Sequence, residues 1–145
     1  MVLRAFLVWL IIILAESLNG TFRELFLKQW VGDLSARRIS FPIALVLIYT
    51  ITFICIRWIG VSGRKGLLAI GVSWVALTFC FEAVVARQVM KIAWDKFLQE
   101  YNIFEGGMMP IGLLLLALAP LIVDKIRSEY SNLSIFRNHI SDRDQ

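Results

Sequence analysis

Histidine occurs once in this sequence, cysteine twice and proline three times. Each scarcity removes a chemistry. A lone His139 in a polar stretch offers neither a histidine-rich metal cluster nor a partner for a nucleophile. Cys55 and Cys80 fall inside apolar runs, and neither stands at zinc-ligand spacing from a second cysteine or a histidine. They read as small buried hydrophobes and not as a disulfide framework. Glycine forms no phosphate cradle: "GVSGRKG", residues 60–66, lacks the P-loop spacing and joins two apolar runs. No nucleophile–base pair appears either. The expectation is a protein that is not an enzyme and holds no cofactor and no metal.

Charge is also sparse. Charged residues make up 18% of the chain and hydrophobic ones 59%, with a mean hydropathy of +0.73. The surface of a soluble domain carries roughly 25–35% charged residues. A bilayer is the solvent that tolerates this composition. The net charge of +4 does not point to nucleic acid. The basic residues sit at the ends of apolar runs, where Lys and Arg anchor helices, and form no basic stripe interleaved with aromatics.

What the chain does have is four apolar runs, each close to the roughly 20 residues a membrane helix needs. They are residues 1–18, 39–56, 66–86 and 106–123. The fold class expected is therefore all-α: a polytopic domain of four transmembrane helices over residues 1–127, followed by a polar tail at 128–145. Pro42 and Pro110 stand near the starts of the second and fourth runs, where a missing N–H is tolerated. Pro120 is expected to kink or end the fourth. The first run also has features of a cleaved signal peptide: Arg4, a short apolar core, then "AES".

An even number of spans puts both termini on one side. That side carries Arg4, the short loop with Arg57, Arg64 and Lys65, and then Lys125 and Arg127. The loop has no acid, and short basic loops face the cytoplasm. Both termini are accordingly expected in the cytoplasm of a bacterial inner membrane.

Trp9, Glu16, Arg23, Trp30 and Pro42 follow one another in the first half, and Trp74, Glu82, Arg87, Trp94 and Pro110 in the second. This order reads either as a tandem repeat of two-helix units, 1–58 and 66–127, or as coincidence in a tryptophan-rich chain. In both readings Glu16 and Glu82 lie toward the same membrane face. Asn19 and Arg23 share a helical face with Glu16 if the helix passes Gly20. Glu82 and Arg87, five residues apart, do not share one. Cross-pairs, Glu16 with Arg87 and Glu82 with Arg23, are therefore expected, with Thr78 one turn before Glu82 as a donor. These charges read as an interfacial ion pair that fixes packing, or as an ion or proton pathway.

Other features complete the reading. Ala69, Ser73, Ala76, Cys80 and Ala83 form a small-residue stripe suited to close helix packing, with Glu82 nearly opposite. Tyr49 and Thr52 are expected to hydrogen-bond between helices. Phe22, Leu25, Phe26 and Trp30, and again Trp94, Phe97, Leu98 and Tyr101, mark two amphipathic segments expected to lie flat at the interface, with Trp30 and Trp94 as anchors.

"ESLNGTFRELF", residues 16–26, and "GRKGLLAIGVSWVALTFCFE", residues 63–82, resemble a family of small four-helix bacterial integral membrane proteins to which no activity is attached. The likeness covers residues 10–127. "ILAE", residues 13–16, is similar to the first span of small multidrug-resistance transporters, which implies proton and cation binding at Glu16. The chain departs from that pattern in its second glutamate and its long connections. Two functions follow as expectations. The first is an accessory, assembly or scaffold component that packs with lipid and with a membrane protein complex or a second copy. The alternative is a small proton- or ion-coupled transporter or channel using Glu16 and Glu82.

Overall fold

The computed structural model describes residues 1–61, 63–99, 101–105 and 107–141. Every regular element among them is helical. The main helices are α1 (Val2–Phe22), α2 (Lys28–Val31), α3 (Asp33–Ile59), α4 (Arg64–Val84), α5 (Trp94–Gln99) and α6 (Met109–Ser141). Four stretches are long and apolar enough to cross a membrane: Val2–Val31, Asp33–Ile59, Arg64–Val89 and Met109–Ser134. Only 17–28% of the most apolar part of each is buried inside the bundle. Side chains such as Leu14, Val46, Ile54, Val72 and Leu114 point outward. Helices apolar all round with so little protein cover match a lipid solvent and not water.

The four long helices close into a ring: α1 packs on α3, α3 on α6, α6 on α4, and α4 on α1. Val8, Trp9, Ile12, Ile56, Leu67, Trp74, Leu116 and Val123 fill the centre. On α4 the buried positions are Leu67, Gly71, Trp74 and Thr78, a seam recurring every three to four residues. At Gly71 a side-chain carbon would overlap the backbone carbonyl of Ala117 on α6. Here the backbones of α4 and α6 approach closely. The small-residue stripe does not serve that purpose. Ala69, Ser73, Ala76 and Cys80 are exposed on the outer face of α4. The opposition between stripe and Glu82 holds, but it is the Glu82 face that turns inward.

Several boundaries differ from the expected ones. The first span does not end near Leu18. Gly20 stays helical, and α1 runs through a π-helical turn, Arg23–Leu27, into α2. The chain then reverses at Gly32, whose φ of 81° suits glycine. The first connection is thus a helical hairpin and not a separate helix lying flat. The second connection is a π-helical turn, Val85–Val89, then the six-residue α5 and a short 3-10 turn, Ile103–Glu105. Phe97 of α5 is buried against Phe79 of α4 and Tyr101, so the segment also covers the bundle's edge. Pro42 lies inside α3, because the helix starts at Asp33. Pro120 lies inside α6 without ending it, and the expected tail is helical as far as Ser141. Residues 142–145 lie outside the described residues.

At the end holding both termini, arginines tie α3 to its neighbours. The Arg4 guanidinium donates to the Trp58 carbonyl at 3.0 Å and sits over the Trp58 ring. Arg127 donates to the Phe53 carbonyl at 2.6 Å and sits over the Phe53 ring. Tyr49 donates from α3 to the Leu115 carbonyl of α6 at 3.2 Å, an interhelical bond as expected. Thr52 instead bonds within its own helix, to the Ile48 carbonyl.

The Gly71 contact yields a direct test. Gly71→Val should destabilise the bundle by about 2 kcal/mol or more, since a backbone oxygen cannot step aside as a side chain does. Ala69→Val on the outward stripe should change stability by less than about 0.5 kcal/mol. Thermal unfolding of both variants in detergent measures the difference; equal melting points would refute the close approach.

Candidate functional site

Two tryptophans set the depth of every polar group in the bundle. The Trp9 indole donates to the Thr78 hydroxyl at 3.0 Å, and the Trp74 indole donates to the Ala5 carbonyl at 3.0 Å. Both bonds join positions 69 residues apart. They therefore fix α1 and α4 as parallel helices in one register. The same offset sets Glu82 level with Ile13. Glu16 lies one turn nearer the rim, roughly 4.5 Å along the axis. Thr78, one turn before Glu82, accepts the Trp9 hydrogen bond.

Above this clasp the bundle opens into a cavity of about 230 Å³. Its floor is apolar, formed by Ile12, Ile13, Ile48, Leu113 and Leu116. Its walls are polar: Glu16, Asn19 and Arg23 from α1 and the turn that follows, Arg37 and Ser40 from α3, and Thr78 and Glu82 from α4. Met108, Met109 and Gly112 complete the wall from the start of α6. The continuous helix through Gly20 is what puts Glu16, Asn19 and Arg23 on one face. Glu82 faces inward because it continues the Leu67–Trp74–Thr78 seam. Asn19 and Ser40 bond to each other twice, through Ser40 Oγ to Asn19 Oδ1 at 3.1 Å and Asn19 Nδ2 to the Ser40 carbonyl at 3.3 Å. They join α1 to α3 beside the glutamates.

Arg23 and Arg87 both have close neighbours along the chain. Arg23 Nη2 lies 3.6 Å from Glu24. Arg87 sits outside the cavity with its guanidinium over the Trp94 ring at 5.3 Å. Local neighbours capture both arginines, at less entropic cost than reaching across the bundle would require. Arg23 instead begins a chain of ion pairs around the hairpin. Lys28 bridges Glu24 at 3.1 Å and Asp33 at 3.4 Å, and Arg37 closes on Asp33 at 3.1 Å. Exposed pairs of this kind add little stability, because water and salt screen them. Their joint effect is to line the rim with a run of alternating charge that carries one excess positive charge.

Two cavity atoms are buried and make no hydrogen bond in the structure: Glu16 Oε1 and Arg23 Nε. Of the expected site residues, then, Glu16, Asn19, Arg23, Thr78 and Glu82 come together, while Arg87, Trp30 and Trp94 stand apart from the cavity. Trp30 and Trp94 are exposed, Trp30 at the tip of the hairpin and Trp94 at the start of α5. Arg37 and Ser40 join the site from a helix start that carries no motif. Their only sequence signal is that an antiparallel neighbour entering after Gly32 must pass the end of α1. Comparison with family models, with curated proteins and with solved structures gives no match.

The Trp9–Thr78 bond generates a prediction by double-mutant cycle. Thr78→Val leaves a buried indole N–H without an acceptor and should cost about 1–3 kcal/mol of stability. In a Trp9→Phe background the same change should cost less than about half as much, since no donor is then stranded. Detergent melting curves of the four proteins measure this, and strictly additive losses would mean that the bond contributes nothing.

Proposed function

We propose that the protein carries a small charged solute across a membrane, coupled to protons or ions, with Glu16 and Glu82 as the responsive groups. This is the alternative of the two sequence expectations, and the cavity is the observation that favours it. A polar-walled space reaches both glutamates from the rim, a feature that a purely packing role does not require. Placing a carboxylate at membrane depth costs a few kcal/mol. Two in one low-dielectric space also repel, and a proton or cation between them relieves that repulsion. The clasp of Trp9 and Trp74 closes the far side, so the bundle as described is open to one face. Passage requires that clasp to part while the rim narrows.

Other features fit this reading. The π-helical turns at Arg23–Leu27 and Val85–Val89 end corresponding helices and carry corresponding arginines, which supports reading residues 1–58 and 66–127 as repeated two-helix units. π-turns recur at functional sites because they loosen a helix locally. We assign the protein to a bacterial inner membrane with both termini cytoplasmic, from the basic short loop between α3 and α4. The cavity then opens to the periplasm. A second reading, an accessory subunit for a membrane complex or a homodimer, draws on the exposed Phe22, Phe26 and Trp30 of the hairpin.

Reconstitution in vesicles with an internal pH dye separates the two. Under an imposed gradient, Glu82→Gln and Glu16→Gln should each slow proton or solute flux by about tenfold or more, equivalent to about 1.4 kcal/mol on the barrier. Their melting points in detergent should stay close to that of the parent. Unchanged flux with a large loss of melting stability, or with loss of a co-purifying partner, would favour the accessory role.

A further inference from the structure

We propose that the cavity binds a single small molecule bearing both an ammonium and an anionic group. This rests on the carrier reading and names its substrate class. The two buried atoms without hydrogen bonds are of opposite kinds: Glu16 Oε1 accepts, and Arg23 Nε donates. Both line the same cavity. A buried polar group without a partner is costly, more so when charged, so each marks a place where a ligand group gains. A simple cation satisfies only Glu16, and a simple anion satisfies only Arg23.

The order along the axis gives the ligand an orientation. Glu16 lies two turns deeper than Arg23, and a helical side chain leans back toward the N-terminus, which brings the arginine toward the carboxyl. The ammonium goes down to Glu16, with Glu82 a further turn below. The anionic group stays at the rim on Arg23, whose Nη2 remains with Glu24. The apolar floor of Ile12, Ile13 and Leu113 receives a hydrocarbon side chain. At about 230 Å³ the cavity falls below the roughly 300–1,000 Å³ of drug-sized pockets, so the ligand is a small metabolite or a headgroup. A free amino acid and the phosphoethanolamine head of a lipid share this chemistry.

Calorimetry on the full chain in detergent tests the proposal with four probes: L-leucine, 3-methylbutylamine, 4-methylpentanoate and phosphoethanolamine. A zwitterion should bind at least about tenfold more tightly than either singly charged leucine analogue, because each analogue leaves one of the two buried atoms unmet. Preference for leucine over phosphoethanolamine identifies a free amino acid, and the reverse identifies a lipid headgroup. Arg23→Gln should abolish the preference for leucine over the amine, and Glu16→Gln the preference over the acid. Arg23→Lys and Glu16→Asp, with melting points near that of the parent, guard against misfolding as the cause. If the amine binds as tightly as leucine, the zwitterion proposal falls while a cation carrier stands. If no probe binds, the zwitterion proposal falls as well. Glutamate-dependent flux in vesicles then decides separately whether the carrier reading survives.

Discussion

The clasp of two indole bonds, Trp9 to Thr78 and Trp74 to Ala5, is the constraint on which the rest of the bundle depends. In lipid, helices gain little from hiding apolar surface, because the surroundings are equally apolar. Register must come from directional bonds and from close backbone approach. The two indoles supply the first between α1 and α4, and Gly71 against Ala117 supplies the second between α4 and α6. A slip of one residue on α4 would turn Glu82 through about 100° and away from the cavity.

Above the clasp, charge is sorted by depth. Carboxyl groups lie inside, and the guanidinium groups of Arg23 and Arg37 lie toward the rim, each held to an acid of the hairpin. This sorting keeps the arginines from neutralising Glu16. In an aqueous protein such a carboxyl would hydrate freely. Here its shell is limited to what the cavity admits.

The four spans were legible in the sequence because length and apolarity decide membrane insertion, and both are local properties. So was the shared face of Glu16 and Glu82, which follows from parallel helices alone. The partners of the arginines were not. Glu24 and Trp94 are near neighbours of Arg23 and Arg87 along the chain, and local contacts form at lower entropic cost than contacts across the bundle. The small-residue stripe misled for a different reason. Two faces of α4 can pack, and the indole bonds of Trp74 and Thr78 select the other one. Helix ends were the least legible. Gly20 reads as a breaker yet stays helical, and Pro120 reads as a terminator yet sits inside α6.

The length of α6 carries a mechanical consequence. Its 33 residues extend roughly 50 Å, against a hydrocarbon thickness near 30 Å. One end walls the cavity through Met109 and Gly112, and the other runs on toward the side of the termini. A rod of this kind is a lever. A few degrees of tilt at the cavity end becomes several ångströms of swing at the other end, so the two ends of the bundle are mechanically coupled.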